Sequence, residues 1–346
     1  MSPIPCRQLG KDGPLVPRIG FGAMGLSLGY GKPMPDEQRL ELLDHAHSIG
    51  ETFWDTSDFY GDSEDLIGKW FAKTGKRSDI FLATKFGGIR LGEAGFGFRG
   101  DAEYVHEACE KSLKRLGVDY IDLWYPHRLD GSTPVEHIVA EMVKMKDAVQ
   151  VEYSPFTTDI EDPQTNLLAT CRELGVAVVA YSPLSRGLLS GRIKSPSDFE
   201  PDDVRRRYPR FSPENFPKNI ALVEALRAVA AEKGSTTTTT TAAQLALAWL
   251  LSQGDDIFPI PGTTRIASLE ENCAAASISL SPEEVARIRS FVETASCRGA
   301  RYPPEHALAL FADTPLPEDY ARGLGNQGKV SITGALHESS STANHD

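Results

Sequence analysis

Four side chains that can bind or release protons stand at, or just after, the ends of strand-like segments. The segment WDTSDFYG ends a strand-like run at Asp55 and places Tyr60 five residues later, and the next two runs end at Lys85 and His127. A phenol with a pKa near 10 is a poor acid at pH 7, but a neighbouring ammonium lowers that pKa. An aspartate would keep the lysine charged, and a histidine would orient a substrate oxygen. Each residue alone could be a cap or a rim side chain, but together they predict proton donation to a carbonyl group.

These residues must be positioned by an alternation of strands and helices. Strand-like runs occupy residues 18–24, 52–57, 80–86, 120–127, 149–154, 177–182 and 257–262, and helical patterns between them include 37–49, 102–116 and 135–146. Near-continuous apolar strands separated by helices are typical of a parallel sheet covered by helices. A doubly wound sheet would need a G-x-G-x-x-G turn after its first strand, and GFGAMG lacks that order. We therefore predict a parallel α/β barrel, in which chemistry lies at the carboxyl ends of the strands.

Shorter signals mark turns, caps and an irregular connection. Asp12-Gly13 predicts a hairpin, Asp101 predicts the N-cap of the helix at 102–116, SPEE at 281–284 is a capping box, and the threonines at 236–241 precede a helix. The connection 186–217 is long and contains RRRYPR at 205–210. It could be a solvated loop or a basic flap that touches an anionic cofactor.

Composition limits the class of protein. The 346 residues suffice for one barrel, and we predict a single barrel domain over 1–322 with a disordered tail over 323–346. The formal charge of −12 argues against binding to nucleic acid or to an anionic membrane. Five scattered cysteines, with no metal-binding pattern, indicate reduced thiols in a cytoplasmic protein. No run of about 18 apolar residues indicates a membrane span.

Two later segments can hold phosphates. In IPGTTRIASLEEN the hydroxyl groups of Thr263 and Thr264, with Arg265, could bind a phosphate, although plain helix capping would also explain them. Glu271 and Asn272 could bind an adenine amine edge. In YSPLSRGLLSG a Ser/Gly loop that follows a strand suits a pyrophosphate, and the tyrosine at its start, residue 181, could stack on a flat ring.

These motifs resemble those of the aldo-keto reductase family. The resemblance rests on WDTSDFYGDSEDLIG, ATKFG, DLWYPHR, VEYSPF, YSPLSRGLLSG and IPGTTRIASLEEN, which occur in family order over about residues 7–300. GFGAMGLSLGYG is similar to the branch that holds plant and fungal aldo-keto reductases and pyridoxal reductases. The resemblance implies an (α/β)8 barrel that binds NADPH without a Rossmann fold.

The resemblance also implies roles for individual residues. Tyr60 would be the general acid, Lys85 and Asp55 would tune it, and His127 would orient the carbonyl of a small-molecule substrate. Gln150 would hold the nicotinamide amide and Tyr181 would stack on its ring. The implied cofactor-binding residues are Gly22, Ala23, Met24, Asp55, Gln150, Tyr181, Ser182, Leu184, Arg186, Gly187, Thr263, Thr264, Arg265, Glu271 and Asn272. The expected substrate-lining residues are Tyr30, Phe59, Phe86, Trp124 and His127.

One departure from the family pattern concerns the strand count. Seven strands are predicted where the barrel has eight, and KMKDAVQVEYS leads almost directly from a helix into the next strand. A βα unit of on the order of 35–40 residues is therefore expected to be absent near residues 146–149. The leading prediction is a reversible, NADPH-dependent carbonyl reductase. The alternative is a weak or inactive barrel that acts as an NADP(H)-binding or interaction protein. A glycosidase-like barrel is disfavoured because no second rim acid is evident beside Asp55.

Overall fold

The computed structural model describes residues 3–90, 96–142, 148–233, 239–295, 297–303, 314–316 and 318–319. Eleven strands and ten α-helices lie in these ranges. The strands are β1 (Cys6–Gln8), β2 (Leu15–Pro17), β3 (Phe21–Gly22), β4 (Phe53–Asp55), β5 (Phe81–Phe86), β6 (Gly88–Arg90), β7 (Phe96–Phe98), β8 (Leu123–Pro126), β9 (Ala148–Glu152), β10 (Ala177–Tyr181) and β11 (Ile257–Pro259). The helices are α1 (Met24–Ser27), α2 (Asp36–Ser48), α3 (Ser63–Thr74), α4 (Ala102–Leu116), α5 (Val135–Met142), α6 (Leu167–Leu174), α7 (Phe216–Lys233), α8 (Ala242–Ser252), α9 (Ile266–Ala274) and α10 (Pro282–Thr294).

Seven of the strands are parallel and form the wall of the barrel. They pair in the orders β3-β4-β5-β8 and β9-β10-β11. A parallel bridge between Gly22 and Gly262 joins the two groups. A Cβ atom on Gly22 would lie 2.8 Å from the carbonyl oxygen of Ile260, so the close approach at this junction requires glycine. The parallel α/β barrel predicted from the alternation of strands and helices is confirmed.

The barrel wall has a seam between β8 and β9. The two strands lie next to each other, but they belong to different sheets, and the described residues include no ladder between them. The βα unit expected to be absent near 146–149 would fall at this seam. Part of that connection, residues 143–147, is outside the described residues, and so is the predicted tail at 323–346.

Alternating side chains of the wall fill the barrel interior. Inward-facing residues from β4, β5, β8, β10 and β11 pack together in one cluster, whose members include Phe53, Ala83, Leu123, Tyr125, Ala177, Val179 and Phe258. The opposite faces of the strands pack on the helices. This alternation points the last inward residue of each strand toward the rim, which places Asp55 and Lys85 side by side on neighbouring strands.

Several local predictions are confirmed. Strands β1 and β2 pair as an antiparallel hairpin. Asp101 caps α4 by accepting a hydrogen bond from the Tyr104 amide, and Ser281 forms a capping box with Glu284 at the start of α10. Thr241 caps α8. A second hairpin, formed by β6 and β7, was not predicted. None of the helices in the described ranges has the length and apolar character needed to cross a membrane.

Candidate active site

Asp55 and Lys85 form a buried ion pair at the rim of the barrel. Lys85 Nζ donates to Asp55 Oδ1 at 2.5 Å and to the carbonyl oxygen of Thr56 at 2.7 Å. The two residues are only 2% and 3% exposed. Burial raises the pKa of Asp55 and lowers the pKa of Lys85, while the charge of each partner opposes that shift. The negative charge of Asp55 therefore favours the charged form of Lys85 at a position where burial alone favours the neutral amine.

Tyr60 lies over this pair on the loop after β4. Lys85 Nζ is 4.9 Å from the centre of the Tyr60 ring. Burial, reinforced by the charge of Asp55, raises the pKa of Tyr60 well above that of free tyrosine. The sequence predicted the opposite shift, because it considered the lysine charge without the burial of the phenol. The raised pKa keeps the Tyr60 phenol protonated but makes it a weaker acid, so proton donation would depend on stabilisation of the phenolate by the nearby Lys85 charge.

His127 faces Tyr60 from the end of β8. The two rings are 5.4 Å apart and nearly perpendicular. His127 Nδ1 is 3.0 Å from the hydroxyl oxygen of Ser57. Burial, followed by the charges of Lys85 and Arg128, lowers the pKa of His127 well below its usual value. A neutral imidazole whose Nδ1 accepts from Ser57 would present Nε2–H as a hydrogen-bond donor.

The side chain of Gln150 contacts the ion pair. Its amide nitrogen donates to Asp55 Oδ2 at 2.6 Å, so both oxygens of that carboxylate have partners. Gln150 does not line the large cavity described below, and one of its two amide N–H groups binds Asp55. Its contact with the nicotinamide amide, through the second N–H or the amide oxygen, remains a prediction.

A cavity of about 400 Å³ extends from the rim toward the start of α9. Asp55 and Tyr60 lie at one end, and residues of the segment 260–272 form the other end. Most of the predicted cofactor-binding residues line it: Gly22, Met24, Asp55, Tyr181, Ser182, Leu184, Arg186, Gly187, Thr263, Thr264, Arg265, Glu271 and Asn272. Ala23 is fully buried and contributes a backbone hydrogen bond to the Asp55 carbonyl instead.

The loop after β10 has an unusual backbone. Ser182, Ser185 and Arg186 have φ values of 51°, 46° and 56°. These left-handed conformations are uncommon for residues other than glycine and concentrate at functional sites. The loop forms one wall of the cavity, as expected for a pyrophosphate-binding segment.

Two guanidinium groups meet at the far end of the cavity. Arg265 donates to the hydroxyl oxygen of Ser268 at 2.8 Å, and Arg192 donates to the same oxygen at 2.9 Å. Arg192 also pairs with Glu271 at 2.5 Å. Within the described ranges Arg265 has no carboxylate partner. Arg192 and Ser268 were not predicted as site residues, although Ser268 lies within IPGTTRIASLEEN and Arg192 directly follows YSPLSRGLLSG.

Two predicted substrate-lining residues lie elsewhere. Phe86 and Trp124 stack with their ring centres 4.2 Å apart and are buried against α4 and α5. This corrects the prediction, and the reason is strand alternation: Lys85 and Tyr125 point inward, so their neighbours point toward the helices. Tyr30 does line the cavity, and Phe59 lies edge-on to His127.

The arginine run in the long connection divides between solvent and the site. Arg205 lines the cavity, pairs with Asp203 at 2.6 Å and lies 4.7 Å from the centre of the Tyr30 ring. Arg206 and Arg207 are exposed. Arg205 thus belongs to the cavity wall, Arg206 and Arg207 are solvated, and Arg210 is partly buried and pairs with Glu152 at 3.5 Å.

The chain matches one protein family over most of its length. The model of the Aldo/keto reductase family matches residues 18–148 and 147–293. The chain belongs to this family. It is 48% identical to aldo-keto reductase str7 of Strobilurus tenacellus over 349 residues, which cover 91% of this chain and all of the relative. It is 44% identical to aldo-keto reductase yakc of Schizosaccharomyces pombe, whose name specifies NADP(+), over 90% of this chain and 98% of the relative.

The fold of this family member is also that of solved structures. Glycerol dehydrogenase AKR11B4 from Gluconobacter oxydans superposes with a TM-score of 0.72 and 23% identity, over 88% of this chain and 99% of that chain. The chain is thus an oxidoreductase with the family's (α/β)8-type barrel, in which seven parallel wall strands are described.

Proposed function

We propose that this aldo-keto reductase reduces an aldehyde or ketone to an alcohol with NADPH, reversibly. The observation that carries the proposal is the convergence of the Lys85–Asp55 pair, the Tyr60 phenol and the His127 ring at one end of the cavity. A carbonyl oxygen placed between Tyr60 and His127 would meet two proton-bearing groups. That arrangement suits general-acid reduction.

The residues at the other end of the cavity fit NADPH. Arg265 is exposed to the cavity and bonds to a neutral hydroxyl, so its charge is available to a phosphate. Arg192 adds a second guanidinium. The name of the Schizosaccharomyces pombe relative supports the same cofactor. When bound, NADPH would supply the hydride.

The chain's own residues perform the proton step. Tyr60 would donate its phenolic proton to the carbonyl oxygen. Lys85, held charged by Asp55, stabilises the phenolate that remains. His127 would hold the carbonyl oxygen through Nε2–H in the tautomer in which Nδ1 accepts from the Ser57 hydroxyl. Gln150 occupies the second oxygen of Asp55.

A second candidate is a catalytically weak barrel that binds NADP(H) or a partner protein. The unpaired seam between β8 and β9 favours it. The two matches to the family model also meet at residues 147 and 148. The alignment with the first relative covers 349 positions, whereas 91% of 346 residues is about 315, which leaves about 34 positions without a residue of this chain. That size is close to one βα unit.

The Tyr60→Phe variant separates the two candidates. We expect the parent protein to bind NADPH, measured by quenching of protein fluorescence, and to reduce an aromatic aldehyde. The variant should bind NADPH equally and lose at least about 10²-fold in kcat. Reduction by the variant at the parent rate would show that Tyr60 is not the acid. NADPH binding without turnover by the parent would favour the second candidate.

A further inference from the structure

Two arginines beside the proton-donating residues lack acidic partners. Arg128 follows His127, and Arg186 lies in the loop after β10; both are partly buried. Within the described part of the chain neither forms an ion pair. The nearby Arg205 and Arg301, by contrast, pair with Asp203 and Glu152 at 2.6 and 2.9 Å. The difference marks Arg128 and Arg186 as cations without a direct carboxylate contact among the described residues.

Both side chains converge on the hydroxyl group of Tyr302. Arg186 donates to this oxygen at 2.9 Å and Arg128 donates to it at 3.2 Å. Arg128 also donates to the Tyr181 hydroxyl at 3.0 Å. The Arg186 guanidinium lies 4.7 Å from the ring centre of Tyr208. Every one of these partners is an uncharged aromatic side chain.

Placing two partly buried guanidinium groups against neutral side chains costs free energy unless an anion binds to them. A partly desolvated cation loses hydration that neutral hydroxyls and ring faces only partly replace. Guanidinium groups are favoured at sites for carboxylates and phosphates because their forked donors match those oxygens. Burial opposes ionisation of Tyr302, yet the charges of Arg186 and Arg128 lower its pKa below that of free tyrosine. The position of the Tyr302 oxygen is thus one where negative charge is stabilised.

We propose that Arg128 binds an anionic group of the carbonyl substrate, a carboxylate or a phosphate ester, beside Arg186, which is also predicted to contact the cofactor. The Tyr302 hydroxyl occupies the place of that group in the free protein. Arg186 lines the same cavity as Tyr60, and Arg128 is adjacent in sequence to His127, so the anion would bind while the carbonyl faces these two residues. This inference rests on the proposed reduction and names its substrate class.

The binding test does not depend on turnover. Isothermal titration compares pairs of ligands that differ only in charge: benzoate with benzamide, and 4-(hydroxymethyl)benzoate with 4-(hydroxymethyl)benzamide. Each pair is measured with and without NADPH. We expect at least one acid to bind about 10-fold or more tightly than its amide, as a charge-assisted contact provides. If no acid binds better than its amide, because both bind equally or neither binds, the proposal is overturned.

Variants assign the preference to the arginines. Arg128→Gln should abolish the preference for the acid, and Arg128→Lys, which keeps the charge without the fork, should retain part of it. Arg207→Gln removes the same charge from an exposed position and should leave the preference intact. Melting curves establish that each variant is folded. A preference that survives in folded Arg128→Gln or Arg128→Lys at the parent level contradicts the proposal.

The cofactor is the other possible source of an anion. If Arg128→Gln weakens NADPH binding as much as it weakens binding of the acid, the arginines serve the cofactor phosphates and the proposal fails. Turnover of 4-formylbenzoate and its methyl ester separates this inference from the proposed function. Reduction of both at equal kcat/KM contradicts the anionic substrate alone. Reduction of neither, with the binding preference present, contradicts the proposed reductase activity and leaves an anion-binding site.

Discussion

At the scale of single residues, the site depends on charges that burial opposes. Lys85 is held charged by Asp55, and Asp55 in turn is held by Lys85 and Gln150. Removing one member leaves an uncompensated buried charge, which costs about 3–5 kcal/mol. Among the described residues Tyr60 and His127 have no such partner, and burial raises the pKa of Tyr60 and lowers the pKa of His127, which favours the neutral form of each. The site thus combines one charged pair, Lys85 and Asp55, with two neutral proton-bearing groups, Tyr60 and His127.

Arg265 is expected to select NADPH over NADH. Its guanidinium has only the Ser268 hydroxyl as a side-chain acceptor within the described ranges. A phosphate there would form a charge-assisted contact worth about 1.5–3 kcal/mol, so Arg265→Ala should weaken NADPH binding by about 10- to 100-fold and NADH binding little. Fluorescence titration with both cofactors measures this. Equal affinity of the parent for NADPH and NADH would rule out the assignment.

Asp58 should make stability fall as pH rises toward neutrality. Burial, followed by the charge of Glu64, raises the pKa of Asp58 to about 7. The folded protein therefore keeps a proton that the unfolded chain releases above about pH 4. The stabilisation is complete below that pH and is lost as pH rises through 7.

Asp58→Asn tests this pH dependence. The variant cannot ionise, so its free energy of unfolding should exceed that of the parent by about 1–2 kcal/mol at pH 8, after allowance for solvent screening. The difference should shrink steadily from pH 7 to pH 4. Urea unfolding at pH 4.5, 6 and 8 measures it, and the exposed Asp202→Asn serves as the control. A difference that does not change with pH would contradict the raised pKa.

At the scale of elements, helix α4 holds the loop that carries Tyr60. Arg115, in the last turn of α4, donates to the carbonyl oxygens of Asp58 and Gly61 at 3.0 and 2.6 Å. It also pairs with Glu64, which is fully buried, at 3.0 Å. Glu64 in turn accepts from Thr84, the residue before Lys85. One arginine therefore connects a helix, the Tyr60 loop and strand β5.

Arg115→Ala should both destabilise the protein and misplace Tyr60. The buried Glu64 loses its ionic partner, so we expect a loss of about 3–5 kcal/mol in the free energy of unfolding and a larger fall in kcat than in NADPH affinity. Adding Glu64→Gln should recover part of the stability, because no charge is then left unpaired. Arg287→Ala, which breaks an exposed pair with Glu232, should barely change the melting temperature. Additive effects of Arg115→Ala and Glu64→Gln would contradict the coupling.

The elements also show how far the sequence predicts this fold. All seven parallel strands and the caps at Asp101 and Ser281 could be predicted because apolar runs and capping residues act locally. The side chain of Phe86 points toward the helices because it alternates with Lys85 along β5. Phe86 was wrongly predicted to line the substrate pocket because that prediction used the residue type alone. The β6–β7 hairpin was missed because its short, glycine-rich strands lack an apolar pattern.

Long-range partners of the site were harder to predict. The contacts of Arg115 with Glu64 and of Gln150 with Asp55 join residues 51 and 95 positions apart. No local sequence pattern predicts such pairs, because they depend on which side chains the folded barrel brings together. The two cations around Tyr302 belong to the same class, since residue 302 lies 174 positions from Arg128.

At the scale of the whole molecule, an acidic protein surrounds a basic cavity. The formal charge of the chain is −12, yet the cavity wall includes Arg186, Arg192, Arg205 and Arg265. Such a local excess of positive charge concentrates anions at the cavity while the overall charge repels them elsewhere. Both proposed ligands, NADPH and an anionic carbonyl compound, match this distribution.

We expect the seam between β8 and β9 to limit the stability of the barrel. Closing a barrel couples strand number, tilt and stagger, and the seven described wall strands leave β8 and β9 without a shared ladder. Unpaired buried backbone groups cost roughly 1–3 kcal/mol each, and a whole domain is stable by only about 5–15 kcal/mol. The seam also adjoins His127 and Gln150, so it would weaken the nicotinamide wall as well as the fold.

Restoring a strand–helix unit between Lys146 and Ala148 should therefore recover both stability and turnover. The insert would come from the aligned segment of the Strobilurus tenacellus relative, which is about 34 positions longer there if the alignment gap falls at this junction. A Gly/Ser insert of equal length is the control, because it adds chain without a strand. We expect the restored form alone to gain several kcal/mol in free energy of unfolding, at about 0.5–1.5 kcal/mol per added hydrogen bond, and to reduce an aromatic aldehyde faster than the parent. A parent that melts cooperatively at an ordinary temperature and turns over like the restored form would mean that the seven strands close the wall adequately. The seam would then be a tolerated variation of the family barrel, and the weak-enzyme candidate would lose its support.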